Sequence, residues 1–346
     1  MPETLADLTT LRLGGPAKRV VTAPSTDELV DLVRTADAAS EPVLLVGGGS
    51  NLVVADDGWD GLVILIRTTD VQVAATRYEL FDDGNTVRVK ADAGAVWDDF
   101  VAHTVEQGLS GLAAMSGIPG CAGATPVQNV GAYGSEVSDV ITGLTVLDRQ
   151  TGDVERWSPA QCGFGFRTSA FKRTDRFVVL DVTFGLQRAS DAPPMRYAEV
   201  ARRLAIEPGG VAPSTDVRDV VLELRRSKGM VLDPDDHDTW SVGSFFVNPF
   251  VAPDEVPDGC PHWVVDDQVK LSAAWLIENA GYGKGYGLDR AGGRVAVSTK
   301  HSLALTNRGG ATTAALLELA QEIRDGVAAR FGIRLRPEAH LIGVTF

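Results

Sequence analysis

Cysteine is scarce in the sequence, and its distribution excludes a disulfide framework. The chain has 346 residues but only three cysteines, Cys121, Cys162 and Cys260, and these show no CxxC spacing. An odd number of widely separated cysteines predicts a reducing compartment. No histidine flanks Cys121, so we expect a small buried thiol there rather than a nucleophile.

Long apolar runs, a basic leader and histidine clusters are also missing. No apolar run approaches the length of a membrane span, and the first residues, MPETLADLTT, are acidic where a secretory signal requires basic residues. The five histidines show no metal-ligand spacing. These absences predict a cytoplasmic protein that has no membrane partner and binds no metal.

Positive charge is in deficit. The sequence has 32 lysines and arginines against 46 aspartates and glutamates, which gives a formal net charge of −14. Because nucleic-acid binding needs a basic face, this balance argues against a nucleic-acid partner. Any phosphate-bearing ligand would have to be bound by local groups.

Glycine, in contrast, is concentrated in two stretches. The first glycine stretch, residues 47–51 (GGGSN), follows the apolar run PVLLV; the second, residues 116–134 (SGIPGCAGATPVQNVGAYG), contains five glycines and two prolines. A strand that leads into a glycine turn lets backbone N–H groups surround phosphate oxygens. GGGSN has neither the GxGxxG spacing of a dinucleotide fold nor the lysine of a P-loop. GGGSN alone is as compatible with a tight turn as with a phosphate loop, and the second stretch alone favours an irregular surface loop over a ligand cradle.

Length and periodicity predict two or three subdomains of mixed helix and sheet. Ser25 begins a capping box ahead of a helical apolar pattern. Proline and glycine breaks place a domain boundary near residue 213, followed by helices at residues 216–228 and 271–279 and a strand at residues 301–305. No Ser/His/Asp triad or nucleophile elbow is visible. These patterns alone indicate a cofactor-dependent enzyme or a nucleotide-binding module.

Five motifs in order make the sequence resemble the UDP-N-acetylenolpyruvoylglucosamine reductases: PVLLVGGGSN, SGIPGCAGATPVQNVGAYG, FGFRTSAFK, GSFFVNP and LRPE. Members of this family are flavoproteins that complete UDP-N-acetylmuramate for bacterial cell-wall synthesis. The resemblance covers nearly the whole chain. It implies an α+β protein with a PCMH-type, vanillyl-alcohol-oxidase-like FAD-binding fold in two subdomains, plus a C-terminal α+β substrate-binding domain.

The resemblance also implies the domain limits and the ligands. The FAD-binding subdomains are expected at residues 1–70, joined by the tail 333–346, and at residues 71–213, with the substrate-binding domain at residues 214–332. The implied ligands are noncovalent FAD, NADPH as hydride donor and a UDP-sugar substrate. We expect the protein to be a monomer.

The two glycine stretches match the FAD cradle of the family. The implied FAD-binding residues are Gly47, Gly48, Gly49, Ser50, Asn51, Pro119, Gly120, Gly123, Ala124, Thr125, Asn129 and Gly131. Glycines would admit the pyrophosphate, and Ser50 and Asn51 would add side-chain donors. A bulky residue at Gly123 is therefore expected to cost FAD binding before it costs the fold.

Arg167, Ser244 and Glu338 match the family's catalytic set. In the implied reaction NADPH reduces FAD, and hydride then passes to C3 of an enolpyruvyl ether, which leaves negative charge at C2 and in the carboxylate. Arg167 would hold the carboxylate, and Glu338 would help only if it is protonated and donates a hydrogen bond. Ser244 would give the proton to C2.

The implied contacts with the UDP group come from Tyr197, Lys228 and Asn248, with His301 as an additional candidate. Tyr197 points to the longer of the family's two types, in which this tyrosine closes over the diphosphate. Two departures from the family pattern affect the site: Phe166 stands where tyrosine is usual, and the loop at residues 281–293 is rich in glycine.

Two alternatives keep the FAD scaffold. A flavin oxidase acting on an alcohol or sugar would have no use for GSFFVNP. A non-catalytic nucleotide-binding regulator would have no need to retain Arg167, Ser244 and Glu338 together.

Overall fold

The computed structural model describes residues 4–68, 77–80, 85–290 and 292–346, with residues 77–80 described by their backbone alone. The predicted subdomain boundary at residue 70, and Ala291 of the glycine-rich loop, lie outside the described residues. The helices are α1 (Thr26–Ala38), α2 (Trp97–Glu106), α3 (Ala198–Arg203), α4 (Ser214–Ser227), α5 (Ala273–Asn279) and α6 (Thr313–Phe331).

The strands of the first half of the chain are β1 (Ala17–Ala23), β2 (Val43–Val46), β3 (Leu52–Val54), β4 (Trp59–Ile66), β5 (Arg77–Leu80), β6 (Thr86–Asp92), β7 (Leu109–Ser110), β8 (Gly131–Ala132), β9 (Ser135–Glu136), β10 (Ile141–Asp148), β11 (Val154–Trp157) and β12 (Phe177–Arg188). Those of the second half are β13 (Phe250–Val251), β14 (His262–Val265), β15 (Gln268–Leu271), β16 (Val295–Val297), β17 (Leu305–Asn307) and β18 (His340–Ile342).

The chain divides into two compact units. The first unit comprises residues 1–18, 49–60 and 227–346, and the second comprises residues 19–48 and 61–226. The first glycine stretch is shared between them, because Gly48 ends a segment of the second unit and Gly49 begins a segment of the first.

Helix α4 belongs to the second unit. Its Val217, Val221 and Leu224 are fully buried in a cluster with Ala113 and Val200. The compact unit therefore ends after α4 rather than near residue 213. The two compact units are defined by contacts within the chain, whereas the three predicted domains are defined by the ligand that each binds. The three-domain division therefore stays a prediction.

The second unit is built on an antiparallel sheet of order β11-β10-β12-β6-β5, with β7 paired to β12. Helix α2 covers one face, where Phe100 and Phe184 have ring centroids 5.2 Å apart. The Trp97 indole N–H donates to the Met115 carbonyl at 3.0 Å. This bond fixes the chain at the entrance to the second glycine stretch.

A smaller sheet of order β1-β4-β2 packs with α1. Strands β2 and β4 are parallel, with Val43 opposite Leu62. The predicted start of α1 is confirmed, because the Ser25 hydroxyl accepts the Glu28 backbone N–H at 3.3 Å. Such a cap satisfies one of the amide groups that a helix N-terminus leaves without an intrahelical partner.

The first unit contains the three-stranded sheet β13-β15-β14 and two strand pairs, β16 with β17 and β3 with β18. Helix α6 provides the apolar stripe of its core through Leu316, Ala320, Ile323 and Val327. This spacing puts the four side chains on one helix face.

Two local predictions are corrected in the first unit. Residues 301–305 form no continuous strand, because the His301 carbonyl accepts the Ala304 N–H at 3.0 Å and closes a turn; β17 begins only at Leu305. The predicted helix at residues 271–279 begins at Ala273, since Leu271 pairs within β15 and Ser272 caps the helix.

Candidate functional site

The two glycine stretches touch each other in the second unit. A Cβ on Gly48 would lie 2.7 Å from the Gly120 Cα, closer than real Cβ atoms come. The Arg67 guanidinium donates to the Gly47 carbonyl at 2.9 Å and so holds the peptide that leads into Gly48. Because the obstructing atoms are backbone, only glycine fits at position 48.

The Cys121 thiol lies at the same junction. It is buried and free, and a Cβ on Gly47 would lie 3.3 Å from its Sγ. Burial raises the pKa of Cys121, against the opposing effects of the Arg67 charge and a hydrogen bond from the Gly48 backbone. The expectation of a small buried thiol is confirmed, and the raised pKa favours its protonated form.

The rest of the first glycine stretch lies in the first unit. Gly49 has a φ of +61°, and a Cβ there would meet the Leu8 carbonyl oxygen at 1.8 Å. The Thr10 N–H donates to the Gly49 carbonyl at 3.2 Å, and the His340 N–H donates to the Asn51 carbonyl at 2.9 Å. Gly49 is thus required by backbone conformation and packing, whatever it contacts in a ligand.

The second glycine stretch is hydrogen-bonded to the segment that joins β6 to α2. Trp97 N–H donates to the Gly120 carbonyl at 3.0 Å, and Ala122 N–H donates to the Ala95 carbonyl at 2.8 Å. The predicted FAD residues of this stretch consequently fall into two groups. Pro119, Gly120, Ala124 and Gly131 keep exposed surface, whereas Gly123, Thr125 and Asn129 are buried.

Gly123 packs against the residue that follows β6. A Cβ there would lie 2.5 Å from the Ala93 Cβ and 2.7 Å from the Ala93 Cα, and the Gly123 N–H donates to the Ala93 carbonyl at 3.0 Å. The expectation that a bulky residue here costs FAD before it costs the fold is therefore wrong. Any side chain at position 123 would have to displace the backbone that follows β6.

Arg167 stands on a tight turn between Gly165 and Thr168. These two residues exchange both backbone hydrogen bonds, at 3.1 and 3.2 Å, and Arg167 has a φ of +52°. A non-glycine residue in the left-handed region is uncommon, and such conformations concentrate at functional sites. The segment is a two-residue reversal that presents Arg167 at its tip.

The Arg167 guanidinium is oriented by the second glycine stretch. It donates to the Gly131 carbonyl at 2.7 Å and to the Asn129 carbonyl at 3.4 Å. It also lies over the Phe166 ring, 5.4 Å from the centroid. The residue that departs from the family pattern therefore supports the arginine through its ring face.

Asn129 ties this arrangement together. Its side-chain amide donates to Glu136 Oε2 at 2.7 Å and to the Gly165 carbonyl at 3.2 Å, and its oxygen accepts the Ser138 N–H at 3.1 Å. Both amide donors are thus used within the protein, so its predicted contact with FAD stays a prediction.

Tyr197 lies beside the end of the second glycine stretch, immediately before α3. Its ring meets Tyr133 edge-on at 5.3 Å, and the side chain remains 42% exposed. Tyr133 is in turn hydrogen-bonded to Arg225 of α4, a guanidinium whose pKa burial lowers. The tyrosine proposed from sequence to close over a diphosphate is therefore partly exposed and packs against Tyr133.

The first unit brings Ser244, His301 and Glu338 together. The Ser244 hydroxyl lies 3.4 Å from His301 Nε2. The next residue, Phe245, donates its N–H to the Leu303 carbonyl and accepts the Glu338 N–H, both at 2.8 Å. The predicted proton donor and the predicted acid are therefore on hydrogen-bonded neighbouring segments.

The other two predicted substrate residues also lie in the first unit. Asn248 uses its amide oxygen to accept the Ala273 N–H at 2.9 Å, next to the start of α5. Lys228 is half-buried directly after α4. Their predicted contacts with a UDP group stay predictions.

Sequence patterns did not single out Tyr133 or Lys172. Lys172 donates to the Arg167 carbonyl at 2.8 Å, on the turn that carries the arginine. Both residues lie inside motifs, VGAYG and FRTSAFK, but their roles depend on contacts that only the folded chain shows. In the described ranges there is no group of histidine, cysteine and acidic side chains able to hold a metal ion.

Two family models match the chain. An FAD binding domain matches residues 17–158, which include both glycine stretches. The model described as UDP-N-acetylenolpyruvoylglucosamine reductase, C-terminal domain, matches residues 233–342, which include Ser244, His301 and Glu338.

Curated relatives agree with these models along the whole chain. A UDP-N-acetylenolpyruvoylglucosamine reductase from Thermobifida fusca (strain YX) is 53% identical, over 99% of this chain and 97% of that protein. A reductase of the same name from Mycolicibacterium smegmatis is 50% identical, over 98% of this chain and 94% of that protein. The solved structure of the Thermus caldophilus reductase has the same fold, with a TM-score of 0.66 and 24% identity over 98% of this chain and 97% of that one.

Proposed function

The chain belongs to the UDP-N-acetylenolpyruvoylglucosamine reductase family, and we propose that Arg167, Ser244 and Glu338 carry out its chemistry. It is an FAD-containing, NADPH-dependent oxidoreductase of peptidoglycan precursor synthesis that reduces the enolpyruvyl ether of UDP-N-acetylglucosamine-enolpyruvate to UDP-N-acetylmuramate. The observation that carries this conclusion is the 53% identity to such a reductase over 99% of the chain. Neither the oxidase nor the regulator considered from sequence has comparable support.

FAD, once bound, would supply the hydride chemistry between NADPH and C3 of the enolpyruvyl group. The close backbone contact between Gly48 and Gly120 supports a cradle for its pyrophosphate, because Gly48 is exposed and no side chain at either position stands between the backbone and a ligand. Gly47, Pro119, Ala124 and Gly131 would complete the contact surface. Gly123, Thr125 and Asn129 would shape that surface from behind.

Arg167 would bind the substrate carboxylate and stabilise the negative charge that develops after hydride addition. An arginine is permanently charged and donates in a fixed fork, so it suits a planar carboxylate. Its hydrogen bond to the Gly131 carbonyl and its position over Phe166 support a preorganised guanidinium. Preorganised donors of this kind supply a large share of enzymatic rate enhancement.

Ser244 would protonate C2, and Glu338 would stabilise the enediolate as a neutral acid. Backbone hydrogen bonds on both sides of Phe245 support a fixed position for the serine hydroxyl. A weak acid such as serine can protonate a strongly basic carbanion when geometry is fixed and water is excluded. An ionised Glu338 would repel the same charge, so the protonated form is required.

Tyr197, Lys228 and Asn248 would contribute to binding the UDP group. The exposed Tyr197 supports a closing role over the diphosphate. We further propose that the protein acts in the cytoplasm as a monomer and binds no nucleic acid. Three free buried cysteines support the cytoplasmic assignment. A formal net charge of −14 supports the absence of a nucleic-acid partner. Light scattering of the FAD-loaded protein, which measures its mass, tests whether it is a monomer.

The Ser244→Ala variant tests the division of roles. Flavin reduction by NADPH and flavin reoxidation by the enolpyruvyl substrate are measured separately by anaerobic stopped-flow absorbance. We expect reduction to stay at the wild-type rate and reoxidation to slow by a factor of about 10³ or more, because only the second step needs the proton. Equal slowing of both steps would show that Ser244 is structural and would contradict the proposal.

A further inference from the structure

We propose that His301 resupplies the proton that Ser244 delivers, and so completes a two-residue proton relay. The inference rests on the proposed role of Ser244. It assigns to His301 a task different from the UDP contact expected from sequence. Three observations on the first unit carry it: the contact itself, the rigidity of the turn that holds His301, and the arrangement of the surrounding charges.

The contact joins the two atoms that a relay requires. Ser244 Oγ and His301 Nε2 are 3.4 Å apart, and both side chains are half-buried. Hydrogen bonds of catalytic groups are often long without substrate and shorten in the reacting complex. The segment containing Ser244 is held to the His301 turn by the bond from Phe245 N–H to the Leu303 carbonyl at 2.8 Å.

The turn that carries His301 is rigid. Ser298 is fully buried, and its hydroxyl accepts the backbone N–H groups of Lys300 at 3.0 Å and His301 at 3.2 Å. The Ser298 N–H donates to the Ala304 carbonyl at 2.8 Å, and the Ala304 N–H donates back to the His301 carbonyl at 3.0 Å. These bonds hold the backbone of the turn and so fix the position from which the imidazole projects.

Charges around the turn are paired with one another. Asp238 is 4% exposed and accepts the Thr299 N–H at 2.9 Å and an Arg308 N–H at 2.8 Å. Lys300 forms an ion pair with Asp236. The two carboxylates, Asp236 and Asp238, thus bind residues of the turn and its neighbour Arg308. The imidazole of His301 contacts the Ser244 hydroxyl.

The proton balance is simple. When C2 takes the Ser244 proton, the Oγ–H bond breaks and a C–H bond forms. Protonated His301 then transfers its Nε2 proton to Oγ, which restores the hydroxyl and leaves a neutral imidazole. One proton from solvent restores the imidazolium, so each turnover consumes the one proton that the reduction requires.

The experiment compares His301→Gln with His301→Ala in the FAD-loaded enzyme. Glutamine places an amide nitrogen near the position of Nε2 and keeps a hydrogen bond, but it cannot transfer a proton. We expect His301→Gln to slow flavin reoxidation by substrate about 100-fold, at the lower end of the range for general acid catalysis. Flavin reduction by NADPH should be unchanged, and added imidazole should restore reoxidation in His301→Ala.

His262→Gln is the matched control, because His262 is an exposed histidine of β14 in the same unit, and it should behave as the wild type. Reoxidation of His301→Gln at the wild-type rate under saturating substrate, or failure of imidazole to rescue His301→Ala, would overturn the relay. A higher KM with an unchanged rate at saturation would assign His301 to substrate binding instead. If Ser244→Ala itself reoxidises normally, the proposed role of Ser244 fails first, and the two failures are thereby distinguished.

Discussion

Gly48→Ala is the smallest change that tests whether the two glycine stretches form one cradle. The added methyl carbon would lie 2.7 Å from the Gly120 Cα, 3.3 Å from its nitrogen and 3.4 Å from its carbonyl carbon. All three neighbours are backbone atoms of a segment tied to α2 through the bond from Trp97 N–H to the Gly120 carbonyl. The stretches must therefore separate, since no flexible side chain can move aside.

The size of the effect follows from the overlap. An ordinary carbon–carbon contact needs about 3.5–4.0 Å, so the backbone at Gly48 or Gly120 must shift by roughly 1 Å. Overpacking of this kind costs about 1–3 kcal/mol of stability. Misplacing even one backbone donor to a phosphate oxygen costs a further ~1.5–3 kcal/mol of binding, which corresponds to a loss of FAD affinity of about 10- to 100-fold.

The assay is titration of apoprotein with FAD, followed by flavin fluorescence, with thermal unfolding of the apoprotein measured in parallel. Gly283→Ala is the matched control, because a Cβ on Gly283 would meet nothing within 4 Å and its φ is not in the left-handed region. We expect weaker FAD binding in Gly48→Ala and wild-type binding in Gly283→Ala. Wild-type affinity in Gly48→Ala would refute the idea that this junction binds the pyrophosphate.

Two further substitutions probe the support of the second glycine stretch. Gly123→Val should lower the melting temperature of the apoprotein by the equivalent of about 1–3 kcal/mol, because its Cβ would lie 2.5 Å from the Ala93 Cβ; unchanged melting with loss of FAD alone would contradict this. Burial raises the pKa of Asp98, but hydrogen bonds from Arg218 and the Gly117 N–H, together with arginine charges, outweigh it and lower the pKa below its usual value. Its stabilising effect is therefore present above the unfolded-state pKa and lost as pH falls through the folded-state pKa, so Asp98→Asn should cost about 1–3 kcal/mol at pH 7 and progressively less below about pH 4. Urea unfolding at the two pH values checks this, and a difference independent of pH would exclude the carboxylate as its source.

Much of the fold could be predicted because its signals are local. Ser25 caps α1 as expected, and the β-forming run RFVVLDVTFGL lies in β12 at the centre of the large sheet. The first and last residues of helices and strands were harder to predict where one residue fits both a helical and a strand pattern. Leu271 carries a helical spacing with the residues after it, yet it pairs in β15 because tertiary contacts outweigh a short apolar period.

The site residues were identified by motif, but their arrangement was not predictable from the sequence. Ser244 and His301 are 57 positions apart, and their contact depends on the backbone bonds that Phe245 makes to Leu303 and Glu338. Arg167 shows the same limit, since a left-handed arginine has no local sequence signature. Hydrogen bonds between residues far apart in sequence determine the positions of Ser244, His301 and Arg167. The periodicity of apolar residues carries no information about such bonds.

Glycine is the residue whose role the sequence leaves most ambiguous, and the two stretches show why. Gly48 and Gly123 are the same residue type, and at both positions a Cβ would collide with neighbouring atoms. At Gly48 the excluded space lies against the other glycine stretch and the residue is exposed, so a ligand can approach the opened backbone. At Gly123 the excluded space lies against the residue that follows β6 and the glycine is buried, so the absence of a side chain there serves packing. A glycine-rich motif therefore combines positions that face a cofactor with positions that hold the backbone in place behind them, and substitution will separate the two through affinity in one case and stability in the other.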